Sequence, residues 1–136
     1  MALFYADSSA LVKLVRDEPE SAALRAFVSD ADLVSCELAL AEIPRAIRRL
    51  AEQDRTLLEL LIARAGELLD AVALLPLDRT LLLAAGALDA PFLRALDAIH
   101  VVAAIDLSPL DGFVSYDERQ AAAARLAGIR TVAPGA

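Results

Sequence analysis

Four carboxylates stand out in this sequence by their surroundings. Asp7 closes the apolar run Leu3 to Ala6, and Asp117 follows another, Phe113-Val114-Ser115. Asp97 lies inside the helical stripe Leu93, Leu96, Ile99, His100, and Glu42 sits in Leu38-Ala39-Leu40-Ala41-Glu42-Ile43. A carboxylate among apolar neighbours is costly to bury alone, so it neutralises, pairs or binds a metal. Taken together, hard oxygen donors in a chain with one His and one Cys suit Mg2+ or Mn2+ rather than zinc. A carboxylate cluster repels itself when empty, which makes a cation its natural occupant. Such ions serve phosphodiester hydrolysis by bridging a polyanion to the acids, acidifying a water and stabilising the leaving oxygen. Each acid also has a plainer reading. Asp7 and Asp117 stand where helix N-caps fall, and Glu42 and Asp97 could pair with Arg45 and Arg94. Capping accounts adequately for Asp78; it accounts less well for Asp7, because Ser8 or Ser9 could do that job.

The rest of the chain bounds what these acids can belong to. Its 136 residues suit a single domain, 1-136, with a real core and no room for a second. With 58% apolar and 24% charged residues it is not a disordered chain. Charges such as Glu59, Arg64, Glu67 and Asp70 interrupt every apolar stretch, so no membrane span is expected. The first residues carry no basic region or cleavage signature, and lone Cys36 fits a reducing, cytoplasmic setting as a small buried residue. Cys-ligated zinc sites lack ligands, and a charge relay would have only His100. A formal charge of -7 repels polyanions unless a cation or a local basic patch intervenes. Arg45, Arg48, Arg49 and Arg119 are the candidates for phosphate contact, with a solvated helix face as the equal alternative.

Short apolar runs punctuated by helical stripes position the acids. Strands are expected at Leu3 to Ala6, Leu33 to Cys36, Val72 to Leu75, Phe113 to Ser115 and Arg130 to Ala133. Helices are expected after Ser8 or Ser9, from Pro19 through Val28, across a hairpin from about Leu40 to Leu69 split near Gln53-Asp54, from Asp78 through Leu88, from Leu93 to before Pro109, and from Asp117 to Gly128. Asp30-Ala31-Asp32 reads as a turn. Pro44 either starts its helix late or kinks it. Strands separated by helices imply βαβ units: a three-layer α/β/α sandwich on a central parallel sheet of about five strands, with its site beyond the strands' carboxyl ends.

Four segments, in order, resemble a known family. They are Tyr5-Ala6-Asp7-Ser8-Ser9-Ala10-Leu11-Val12-Lys13, Ser35 to Glu42, Leu93 to His100, and Phe113-Val114-Ser115-Tyr116-Asp117-Glu118-Arg119. Over nearly the whole length the chain resembles the PIN-domain ribonucleases, specifically the VapC-type toxins of VapBC toxin–antitoxin pairs. The resemblance implies a PIN-like fold with the first and fourth strands adjacent. It implies a metal-dependent endoribonuclease, a hydrolase in which an acidic quartet (Asp7, Glu42, Asp97, Asp117) holds Mg2+ or Mn2+ and a metal-activated water attacks RNA. Ser8 and Ser115 fall where the family often has a hydroxyl that orients a carboxylate or a water. Glu37 is not carried over, and Pro44 departs from the family's usual pattern. The implied substrate is tRNA or rRNA. The implied partners are a VapB-like antitoxin, which lays a helix along a groove, and a second copy in a homodimer, with larger toxin–antitoxin assemblies built on it. The abundant Leu of the hairpin suits such burial.

Rival readings remain on the sequence. A receiver or aspartyl phosphatase fits poorly, since Lys13 is the only Lys and Ser9 stands two residues after Asp7. A non-enzymatic α/β interaction module, its carboxylates serving as helix caps and salt bridges, is the main alternative. His100, three residues after Asp97, reads as a packed or salt-bridged residue.

Overall fold

Strands and helices alternate along the chain, and in a computed structural model describing residues 1–136 each strand lies where an apolar run predicts it. The order is β1 (Ala2–Ala6), α1 (Ser8–Val15), α2 (Ser21–Val28), β2 (Ala31–Cys36), α3 (Ala39–Leu50), α4 (Arg55–Ala71), β3 (Ala73–Leu75), α5 (Arg79–Gly86), α6 (Ala95–Leu107), β4 (Gly112–Val114), α7 (Glu118–Leu126) and β5 (Thr131–Val132). All strand pairs are parallel, in the order β3-β2-β1-β4-β5. The chain therefore winds one way from β1 and returns to lay β4 on β1's other edge. That reversal opens a crevice at the carboxyl ends of β1 and β4, where open α/β sheets place ligands.

Period-two alternation sorts the side chains onto the two faces. Phe4, Ala6 and Val114 point to a core shared with α1 to α4, built on Leu11, Leu24, Ile43, Ile47 and Leu61. Tyr5 and Phe113 point to the opposite core, closed by α5, α6 and α7. Their rings stack at 5.3 Å across the β1–β4 pair. The result is the three-layer α/β/α sandwich expected. Gly112 is where β4 meets β1: a Cβ there would lie 3.1 Å from the Phe4 ring. No helix is long and apolar enough to cross a membrane.

Several local expectations are corrected. Asp7 itself caps α1, accepting from the Ala10 N–H, so Ser8 is the first helical residue and neither Ser8 nor Ser9 is the cap. Pro19 lies in the turn before α2, which begins at Ser21. The Asp30-Ala31-Asp32 turn gives way to strand at Ala31, because Ala31 and Asp32 pair with Ala2 and Leu3. Pro44 does not start α3 late; it lies inside the helix, four residues after the half-exposed Leu40, whose carbonyl its missing N–H leaves without the usual helical donor. Asp78 and Asp117 cap α5 and α7 as expected, and Asp54, at the expected hairpin split, caps α4.

Candidate active site at the carboxyl ends of β1 and β4

Asp7 is the first residue beyond β1, and the turn into α1 pulls its side chain inside, leaving it fully buried. Both of its oxygens are taken. Oδ1 accepts from Ser9 Oγ at 2.6 Å and from the Ala10 N–H at 3.1 Å, while Oδ2 accepts from Ser115 Oγ at 2.5 Å. Burial pushes the Asp7 carboxyl above its usual range; the two hydroxyls and the nearby His100 charge oppose that rise. Ser115 lies just past β4, and its Oγ also accepts from the Asp117 N–H at 3.0 Å. One hydroxyl thus ties the loop after β4 to the acid after β1.

Asp117 accepts from the Arg119 and Gln120 N–H groups through Oδ1, the geometry of an N-cap. Opposite it, in the first turn of α6, Asp97 Oδ1 accepts from Gln120 Nε2 at 3.0 Å. No ion pair to Arg45 or Arg94 forms at Glu42 or Asp97. Glu42 instead meets His100, whose Nε2 donates to Oε1 at 2.6 Å, and Ser8 Oγ donates to the same oxygen at 2.5 Å. His100 is therefore salt-bridged, as its apolar surroundings suggested, but its partner comes from another helix, and no local pattern reveals that.

The His100 ring is buried against Tyr5, whose hydroxyl lies 2.7 Å from Nδ1, and Cys36, whose Sγ is 3.8 Å away. Burial alone would lower the His100 pKa; the contacts with Cys36 and Glu42 reverse this and hold it up at about 10. Glu42 feels the same pair from the other side. Its burial raises the carboxyl pKa, but hydrogen bonds from His100 and Ser8 and the imidazolium charge bring it below the ordinary value. Asp97 moves upward, first from burial and then from the charges of Asp117 and Glu42. Asp97 thus lies within electrostatic reach of both Asp117 and Glu42.

Glu42, Asp97 and Asp117 line a single cavity of about 890 Å³, with Arg94 and Arg119 at its rim. Each spends one oxygen on the scaffold. Glu42 Oε2, Asp97 Oδ2 and Asp117 Oδ2 have no protein partner. None of these is sealed from solvent, because Gln120 Oε1 is the only buried side-chain nitrogen or oxygen without a partner. Hard, free, solvent-facing oxygens fit a divalent cation of the Mg2+ class. The side chains do not close on one point: no three acidic, His or Cys groups stand ready to chelate a single ion. Asp7 fits such an ion least directly, being fully buried with both oxygens already accepting hydroxyl or amide donors.

A groove of about 850 Å³ continues from this cavity between α1 and α3, sharing Glu42, Leu96 and Tyr116 with it. Lys13, Arg45 and Arg49 line the groove and Arg119 lines the cavity, whereas Arg48 lines neither. Lys13 lies 4.7 Å over the Tyr116 ring and 2.9 Å from Glu20 Oε2. Sequence reasoning missed Tyr116 and Gln120. Tyr116 adjoins Asp117 and was within reach of the motif; Gln120 sits in an alanine run with no pattern to mark it.

Comparison with known proteins agrees with this geometry. The PIN domain family model matches residues 4–126. The chain is 34% identical over 140 residues to Ribonuclease VapC47 of Mycobacterium tuberculosis (strain CDC 1551 / Oshkosh), an alignment spanning 98% of each chain. It is 41% identical over 138 residues to Ribonuclease VapC46 of strain ATCC 25618 / H37Rv, covering 98% of this chain and 99% of that protein. Ribonuclease VapC35 of Mycobacterium tuberculosis is 33% identical over 139 residues, with 98% of each covered.

Proposed function

The chain belongs to the PIN-domain family, and from that premise we propose that it is a metal-dependent endoribonuclease, the VapC-type toxin of a type II toxin–antitoxin pair. The observation that carries the reading is the set of free oxygens on Glu42, Asp97 and Asp117 around one cavity at the β1–β4 crevice. Asp7 is the buried fourth member of the acidic set, held ready by Ser9 and Ser115.

A Mg2+ or Mn2+ ion held by these carboxylates supplies an acidified water and charge neutralisation at the phosphodiester. The protein's own residues do the rest. Ser8 and His100 fix Glu42, the helix-start amides of α7 fix Asp117, and Gln120 restrains Asp97, so each acid presents one oxygen in a set place. Arg119 and Arg94 at the rim, with Lys13, Arg45 and Arg49 along the groove, offset the phosphates of an RNA that the net charge of -7 would repel. A local patch in an acidic protein favours a structured RNA, tRNA or rRNA, over sequence-blind binding.

A VapB-like antitoxin is the proposed partner in the cytoplasm, and exposed Leu40, Leu50, Leu57 and Leu60 on α3 and α4 are apolar surface available to a second copy. The alternative of a non-catalytic module has support in the caps made by Asp7 and Asp117, but a cap uses one oxygen and leaves Asp117 Oδ2 free. Calorimetric titration with Mn2+ separates the two. Binding by the unmutated chain that Asp97→Asn weakens or removes supports the nuclease; absence of binding to the unmutated chain favours the module.

A further inference from the structure

Gln120 lies on α7, three residues beyond Asp117, and is 5% exposed. Its Nε2 donates to Asp97 Oδ1 at 3.0 Å, and its backbone N–H donates to Asp117 Oδ1 at 3.2 Å. One residue therefore touches two of the three cavity acids, which come from different elements of the fold. The other half of the same amide is unmet, since Oε1 is the only buried side-chain polar atom in the protein without a hydrogen-bond partner. An unmet buried acceptor costs folding free energy, and a site chosen for packing alone would hold an apolar residue. Ala121, Ala123 and Ala124, buried on the same helix, are of that kind. Neither capping nor core packing accounts for a glutamine here; its donor half does.

We propose that Gln120 is a positioning residue of the acidic site: it restrains Asp97 against repulsion by Asp117 and Glu42 and sets the Asp97–Asp117 spacing that a divalent cation requires. The inference rests on the metal reading given above. Without the amide, no side chain donates to Asp97, and only the Arg94 backbone N–H and the His100 charge oppose the repulsion from Asp117 and Glu42. Second-layer partners of this kind control metal affinity through the geometry of the ligand they hold.

The test compares the unmutated chain with Gln120→Met, which keeps length and apolar bulk but removes the donor and the unmet acceptor together. Mn2+ titration by calorimetry is expected to show affinity falling about 10- to 100-fold, while the melting temperature of the metal-free chain does not fall. In an Asp97→Asn background the same change should cause no further loss. Equal Mn2+ affinities in Gln120→Met and the unmutated chain overturn this inference and leave the nuclease reading standing. A Gln120→Met chain that melts far lower or fails to fold overturns it too, because the amide is then structural. No Mn2+ binding by the unmutated chain overturns the metal reading and this inference together.

Discussion

Replacing Glu42 by Gln should change how stability depends on pH, because His100 is charged in the fold largely through the company it keeps. The ring is 1% exposed, faces Tyr5, Cys36, Ser8 and Glu42, and lies within electrostatic reach of Asp7 and Asp97. Burial would depress its pKa, yet contacts with Cys36 and Glu42 raise it from 6.5 to about 10. A folded pKa above the unfolded one means stability that is complete below pH 6.5 and is lost as pH climbs towards 10. That displacement sets a ceiling of about 5 kcal/mol. The Glu42 side chain is 23% exposed and keeps part of its hydration when unpaired, which brings the expected loss to about 3 kcal/mol. Glu42→Gln removes the anion while keeping a hydrogen-bond acceptor and leaves the Cys36 contact in place, so the loss over the same pH range should shrink to about 2 kcal/mol. The Cys36 thiol, whose pKa is lowered despite burial by its contact with His100, gives a slope of opposite sign that weakens with the imidazolium, so the difference between the chains reads the whole Glu42–His100–Cys36 cluster. Urea unfolding free energies, measured for both chains across that pH range, read the effect. Parallel curves would refute the assignment of His100 as the charged partner of Glu42.

Other consequences follow from single contacts. Ile47→Ala, at a fully buried site under α3, should cost about 2–5 kcal/mol in denaturant unfolding, the price of an apolar cavity. Asp78→Ala removes the acceptor for the Leu81 N–H and should cost about 1 kcal/mol of stability, with RNA cleavage unchanged. Arg45→Gln should raise KM for RNA with little change in kcat and flatten the salt dependence of binding by about one unit of slope, read from titrations at several salt concentrations.

Much of the fold was legible because apolar runs and caps are local signals. Asp78 and Asp117 each announced a helix, and the strands that precede Asp7 and Asp117 were plain from their short apolar runs. Errors fell where tertiary pairing overrides local preference: Ala31 and Asp32 look like a turn but are drawn into strand by Ala2 and Leu3. Pro44 reads as either starting its helix late or kinking it; it lies inside α3, between Ile43 and Ile47, which are buried in the core. Within the site, the acids could be picked out by their surroundings, but their partners could not. Glu42 and His100 are 58 positions apart, and Asp97 and Gln120 are 23 apart. Asp7 was read as an acid with Ser8 and Ser9 available to cap; the structure gives the cap to Asp7 and makes Ser9 its donor.

The most direct test of the metal-dependent nuclease is RNA cleavage by the purified chain with Mn2+ or with a chelator, run beside Asp117→Asn. Asparagine caps a helix as well as aspartate does, so that variant should fold normally while losing the charge that faces the cavity. Scission that requires the ion and falls about 100-fold or more in Asp117→Asn is the expected result. Scission that persists in chelator, or is equal in the two chains, would contradict it.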